Sequence, residues 1–115
     1  MASLFTKIFN GEIKGTIVHQ DDRCAVLKDI NPQAPVHMLV IPKKEILSIA
    51  YAKPEDEALL GHLLLTAAKV ARDHGISESG YRLVLNIGEH AGMTVPHIHV
   101  HLLGVPVQVL AVDGQ

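Results

Sequence analysis

The ten residues "VPHIHVHLLG", 95–104, constrain the fold more than any other stretch. His97, His99 and His101 alternate strictly with Ile98, Val100 and Leu102. Side chains of an extended chain point alternately to opposite faces. A period of two therefore predicts a strand with one imidazole face and one aliphatic face, and a second layer to cover the aliphatic one. Neighbouring histidines would stand about 7 Å apart along such a strand and the outer two about 13 Å. A single histidine there would read as a solvated residue. Three in register point to chemistry, since Thr, Lys or Ser would serve a solvated face as well.

The covering layer is predicted over Pro54–His74. Pro54 suits a first helical turn, Glu55, Asp56 and Glu57 lie at the positive end of the dipole, and Gly75 suits the stop. Leu60, Leu63, Leu64, Ala67, Val70 and Ala71 form its apolar stripe. Leu59 and Leu65 widen that stripe, which fits either a well-buried helix or one that also packs on a second subunit. Four further strands are read from "TIVHQ", "CAVLKDI", "VHMLVIP" and "YRLVLNI". Pro32 and Pro35 break the chain in "NPQAP", and "SLFTKIF" reads as a short N-terminal helix. The expected class is α+β: a five-stranded, mostly antiparallel sheet with one long helix and a short one, all 115 residues in a single domain.

Composition narrows the function. The formal net charge is -2, which gives no electrostatic case for nucleic acid. The single cysteine, Cys24, excludes an intrachain disulfide. The N-terminal stretch has no apolar run of the signal-peptide kind, and "ALLGHLLLTAAKVA" is too short to span a bilayer. The expectation is a soluble cytoplasmic protein without a membrane partner.

Two chemistries suit the imidazoles. Zinc takes three or four convergent ligands at about 2.0–2.1 Å from nitrogen, so the outer two histidines would have to bend inward and His37 or His90 would have to join. Alternatively, one neutral imidazole is a nucleophile near its unperturbed pKa of about 6.5, with its second nitrogen donating to a fixed acceptor. Phosphorus is the natural target, the phosphoryl or nucleotidyl group passing to the ring and then to water. The nucleophilic reading ranks above the metal, and neither metal nor cofactor is expected.

"HIHVHLL" matches the signature of the histidine triad (HIT) superfamily. "DINPQAPVHMLVIPKKEI", "LLGHLLLTAAKVA" and "GYRLVLNIGEHAG" resemble its HINT branch in order and spacing, over roughly residues 4 to 104. The resemblance implies a HIT-like fold, a homodimer, and hydrolysis of purine nucleoside 5'-phosphoramidates through a nucleotidyl-histidine. It implies that His99 is the nucleophile, that His101 contacts the phosphate, and that His97 supports the site and pairs with His37. Asp29 would bind the ribose hydroxyls and Asn86 the sugar-phosphate. Leu4, Phe5, Ile8, Leu27 and Ile30 would line the purine pocket. Gly92 and Met93 would approach the phosphate, and Thr94 would place a hydroxyl near the leaving group.

Several of these residues also have plain structural readings. Asp29 could cap the Asn31–Pro32 turn, Asn86 could end a strand, Thr94 could begin one, and His37 could be a satisfied half-buried histidine. The chain departs from the family pattern in places. Met93 replaces a usual Gln and loses its two-sided hydrogen bonding. Ser3 and Thr6 stand where some relatives carry Cys-x-x-Cys, and Glu45 where they carry a His, so a structural zinc site is not expected. The tail "GVPVQVLAVDGQ" lacks the family's Gly-Gly-Arg and Trp. The alternative functions are a dinucleoside polyphosphate hydrolase and a purine nucleotide-binding regulatory module.

Overall fold

The computed structural model describes residues 2–106; the rest of the tail, which lacks the family's Gly-Gly-Arg and Trp, lies outside them. The chain runs through α1 (Leu4–Phe9), β1 (Ile17–Gln20), β2 (Cys24–Lys28), β3 (Val36–Pro42), α2 (Glu57–Asp73), β4 (Tyr81–Val84) and β5 (Val100–Gly104). The strands form one sheet in the order β1-β2-β3-β5-β4, every neighbouring pair antiparallel. This is the expected α+β architecture, and β3 lies at its centre.

Period-two alternation sorts the side chains. Val36, Met38 and Val40 of β3, Ile98, and Val100 and Leu102 of β5 pack with Leu63, Ala67, Val70 and Ala71 of α2 in the main core. On the opposite face Leu27, Leu39 and Ile41 pack with Phe5 of α1, and Ile8, Phe9 and Val95 border them. The helix therefore covers one face, and α1 covers part of the other. A fully buried Leu, Ile or Val side chain contributes roughly 1.5–3 kcal/mol. These two clusters hold the sheet against both helices.

Local chemistry sets the element ends. Ser3 Oγ accepts from Thr6 N and caps α1. Asp21 Oδ1 accepts from the amides of Arg23 and Cys24, both at 2.8 Å, closing the β1–β2 turn. α2 is preceded by a 3₁₀ turn over Pro54–Asp56, so the predicted helix begins as a tighter coil. Buried Asp56 accepts there from Lys53 N and from Lys44 Nζ, the latter at 2.6 Å. Lys44 is thus ion-paired. Gly75, at φ +73°, ends α2 in a conformation that a β-carbon would strain.

Three expectations need correction. Regular β5 begins only at Val100, so His101 alone of the three triad histidines lies on it. Register would set Ile98 opposite Pro42, which has no N–H for a ladder. Ile98 N donates instead to Ile46 O at 2.9 Å. β4 stops at Val84, short of the predicted Ile87. On α2, Leu64 is exposed, whereas Leu59 packs against the core. The exposed pair is Leu64 and Leu65, because the stripe is narrower on that side than the sequence implied.

Candidate active site

Although Ile98 and His99 lie outside the regular ladder, the alternation persists. Ile98, Val100 and Leu102 are fully buried under α2. His97 and His99 turn to the other face, where the Phe5 ring meets both edge-on at 5.6 and 5.1 Å between centroids. His101 follows at 5.1 Å from His99.

His99 is 6% exposed, and its Nδ1 donates to His97 O at 2.7 Å. That bond places its proton on Nδ1 and its lone pair on Nε2. Nε2 has no partner among the described residues and is not buried, so it is open to an incoming group. This is the arrangement of a neutral imidazole nucleophile.

His97 is 0% exposed and has both nitrogens engaged. Nε2 donates to Pro42 O at 2.7 Å, and Nδ1 accepts from the Ser3 hydroxyl. Ser3 N and the Thr6 hydroxyl both donate to Glu45 Oε1, so Ser3, Thr6, Glu45 and His97 form one hydrogen-bonded group. Burial holds the His97 pKa below its usual 6.5, with partial opposition from its Pro42 bond and the Glu45 charge. The expected pairing of His97 with His37 is incorrect. His37 lies beside His101 instead, Nε2 to Nδ1 at 2.9 Å. Register explains this: His37 pairs with Leu103 and Leu39 with His101, which puts His37 at the far end of the triad from His97.

His37 is 7% exposed, and its Nδ1 accepts from Gln33 N at 3.0 Å. Its Nε2 also lies 3.2 Å from Asp29 Oδ2. Burial lowers the His101 pKa, a positive charge on neighbouring His99 or His37 would lower it further, and the Asp29 carboxylate opposes both. Asp29 Oδ1 accepts from Asn31 N at 2.8 Å, so the turn cap that sequence offered as one reading is made. The other carboxylate oxygen faces His37. Asp29 and Ile30 line an open groove of about 510 Å³ with Lys14, Gly15 and Thr16. Gly15 lies so close to Ile8 that an added β-carbon would stand 2.7 Å from Ile8 Cγ2, which sets Ile8 beside that groove.

The remaining candidates divide. Phe5, Ile8 and Leu27 come together as expected, while Leu4 and Ile30 stay outside their cluster and are exposed. Leu39, Phe9 and Val95 join them but were missed, although alternation from His37 already put Leu39 on this face. Asn86 is half-buried in the loop two residues past Val84, the partner of His101. Gly92 takes φ +89° after the Glu89–Ala91 turn, a conformation suited to glycine. Met93 and Thr94 line a groove of about 270 Å³ with Ser48, Tyr51, Glu89 and Pro96. His90 is exposed on that turn.

The triad does not converge as a metal site, because His97 has no free nitrogen. Asp29, His37 and His101 could jointly offer a cation one atom each, as could Asp21, Cys24 and His62. In the second group Arg23 Nη2 stands 3.1 Å from His62 Nδ1, and His62 Nε2 bonds Asp21 Oδ2 at 2.8 Å, so its own hydrogen bonds close it.

Comparison with known proteins gives consistent results. Residues 2–113 match the family model described as scavenger mRNA decapping enzyme C-terminal binding. An uncharacterised HIT-like protein of Synechocystis is 54% identical over 89% of both chains. The purine nucleoside phosphoramidase of Escherichia coli is 46% identical, covering 89% of this chain and 86% of that one. A HIT family hydrolase from Legionella pneumophila superposes with a TM-score of 0.87 at 48% identity, over 90% of this chain and 92% of that one.

Proposed function

The chain belongs to the histidine triad superfamily, and from that premise we propose that it is a hydrolase of purine nucleoside 5'-phosphoramidates acting through a nucleotidyl-histidine. The observation that carries the reading is the His99 imidazole, with Nδ1–H held by His97 O and Nε2 open. Phosphoramidase activity in the Escherichia coli relative supports the substrate class.

In this mechanism His99 Nε2 forms a bond to phosphorus as the P–N bond breaks. The departing nitrogen takes the electron pair of that bond and a proton relayed from solvent through the Thr94 hydroxyl. The His97 carbonyl stabilises the positive charge that grows on the His99 ring. Water then attacks phosphorus, the P–Nε2 bond breaks, and a nucleoside monophosphate leaves as the proton passes to solvent. His101 faces the phosphoryl oxygens. Asp29 Oδ2 accepts from the ribose, and Ile8 and Ile30 flank the purine in the groove beside Gly15.

The reading includes a homodimer. Leu64 and Leu65 of α2 are exposed, and among the described residues β4 has a neighbour on one side only. A monomer rarely leaves a helix face and a strand edge uncovered together.

Steady-state hydrolysis of an AMP–amine phosphoramidate beside diadenosine polyphosphates tests the substrate class. Faster turnover of the phosphoramidate is expected. Preference for the polyphosphates would replace this reading with that of a dinucleoside polyphosphate hydrolase.

A further inference from the structure

We propose that the backbone amide of Gln33 fixes the proton positions of the His37–His101 pair, so that His101 presents an N–H and not a lone pair to the phosphoryl oxygens. Gln33 is then a positioning residue acting through two imidazoles. The functional half of this inference rests on the phosphoramidate reading; the structural half does not.

Gln33 N–H donates to His37 Nδ1 at 3.0 Å. A nitrogen that accepts an N–H cannot also carry a proton. Neutral imidazole holds one proton, so that of His37 is on Nε2. Nε2 faces His101 Nδ1 at 2.9 Å and Asp29 Oδ2 at 3.2 Å. A proton on His101 Nδ1 as well would set two hydrogens between nitrogens 2.9 Å apart. His101 Nδ1 is therefore an acceptor, and neutral His101 carries its proton on Nε2. That atom has no partner among the described residues and is not buried, so its N–H is free for an anionic oxygen. The burial that lowers the His101 pKa keeps the ring neutral, and its tautomer therefore matters near pH 7.

The turn makes the amide available. Among residues 32–35, Pro32 and Pro35 have no N–H. Asp29 Oδ1 holds Asn31 N, and Asp29 N donates to His37 O at 3.0 Å, which closes the segment onto the start of β3. Gln33 Nε2 donates to Asn31 O at 3.0 Å and adds a side-chain tie. The side chain is thus dispensable to the relay, and the amide is not.

Two measurements test this. In ¹⁵N-labelled wild-type protein, the imidazole shifts are expected to show pyridine-type Nδ1 and pyrrole-type Nε2 for both His37 and His101. A coupling through the hydrogen bond between the Gln33 amide nitrogen and His37 Nδ1 is also expected. A protonated Nδ1 on either ring, or no such coupling, overturns the proposal whatever the substrate is. Kinetically, Gln33→Ala keeps the amide and loses only the side-chain tie to Asn31 O, so its effect should be small, whereas Gln33→Pro deletes the amide. Losing one fixed hydrogen bond in the relay should lower kcat about ten-fold with KM little changed, and leave the His37 ring in mixed tautomers. A folded Gln33→Pro protein with unchanged kcat and a single His37 tautomer also overturns it. If Gln33→Pro does not fold, the wild-type spectra decide. Expected spectra in a protein that cleaves no phosphoramidate would refute the substrate reading and leave the relay standing.

Discussion

His99 Nδ1 lies 2.7 Å from the main-chain oxygen of His97, two residues earlier. The group that orients the nucleophile is thus a carbonyl that survives any substitution of the His97 side chain. The His97 ring has a separate duty: it ties Pro42 O to Ser3 and so fixes the segment that supplies that carbonyl.

His99→Ala and His97→Ala should therefore differ in kind. His99→Ala is expected to lose at least about three decades of kcat, as removal of a nucleophile does. It should show no nucleotidyl adduct when quenched with substrate and analysed by mass spectrometry, and it should also lose some stability, because it removes a buried ring and strands His97 O. His97→Ala should keep measurable turnover and the adduct. Its stability should fall by about 2–4 kcal/mol, since it opens a cavity and strands Pro42 O without a donor. Equal kinetic damage with unaltered melting would mean that the His97 ring acts in the chemistry itself.

Asp29 is doubly committed, with Oδ1 on Asn31 N and Oδ2 toward His37 and the groove. Asp29→Asn keeps an oxygen for the turn and removes the charge and one acceptor. Hydrogen bonds to a charged group contribute about 1.5–3 kcal/mol. AMP affinity should thus fall about ten-fold or more, at 1.4 kcal/mol per decade. A 2',3'-dideoxy analogue lacks the hydroxyls and should bind almost as before. Calorimetric titration of both ligands separates ribose binding from turn capping, which predicts equal losses for the two.

How far the sequence could be read depends on the kind of question put to it. Alternation in "VHMLVIP" and "HIHVHLL" assigned faces correctly, because side-chain direction is a local property of extended backbone. It did not show that Ile98 and His99 leave the ladder, since the same alternation holds with or without ladder bonds. Nor could it name partners. His97 meets Ser3, 94 residues away, and His37 meets His101 through a register that only the paired strands define. Leu59 and Leu64 sit at the rims of the helical stripe, where a small rotation of α2 decides burial. Asp29 had two readings from sequence; the turn cap is visible in the fold, and the ribose contact remains a proposal.

The histidines also set a pH window for stability. His97 and His101 have folded pKa values below the usual 6.5, chiefly through burial. Between the folded and unfolded values the unfolded chain binds more protons, so stability rises with pH there. The contribution is complete above 6.5 and is lost as pH falls through the folded values. Glu45, Asp56 and Asp73 are lowered from 4.5, 3.8 and 3.8, so they act in a separate, more acidic window. The melting temperature should decline on acidification just below 6.5, and His101→Asn should flatten that decline. A melting curve independent of pH there would contradict the burial assigned to both rings.

Activity should survive EDTA and exhaustive dialysis. The nucleophilic lone pair on His99 Nε2 must stay free, and a metal on it would block attack. Loss of turnover on chelation, restored by zinc, would point instead to Asp29, His37 and His101 as ligands.

The proposed dimer rests on surface that the described residues of one chain leave bare. Leu65 is 73% exposed and Leu64 51%, on a helix whose other face is buried. β4 offers its outer edge for pairing, and Leu83 on it and Ile87 beyond its end are also exposed. Pairing of α2 and β4 with their symmetry mates would bury all four residues and satisfy the edge amides. Light scattering at micromolar concentration should give twice 12.5 kDa. Leu65→Glu would set two like charges near one axis and should shift the protein toward monomer. Its circular dichroism should be unchanged, because Leu65 has no part in the core. A wild-type protein that scatters as a monomer would refute the dimer and leave Leu64 and Leu65 as surface for another partner.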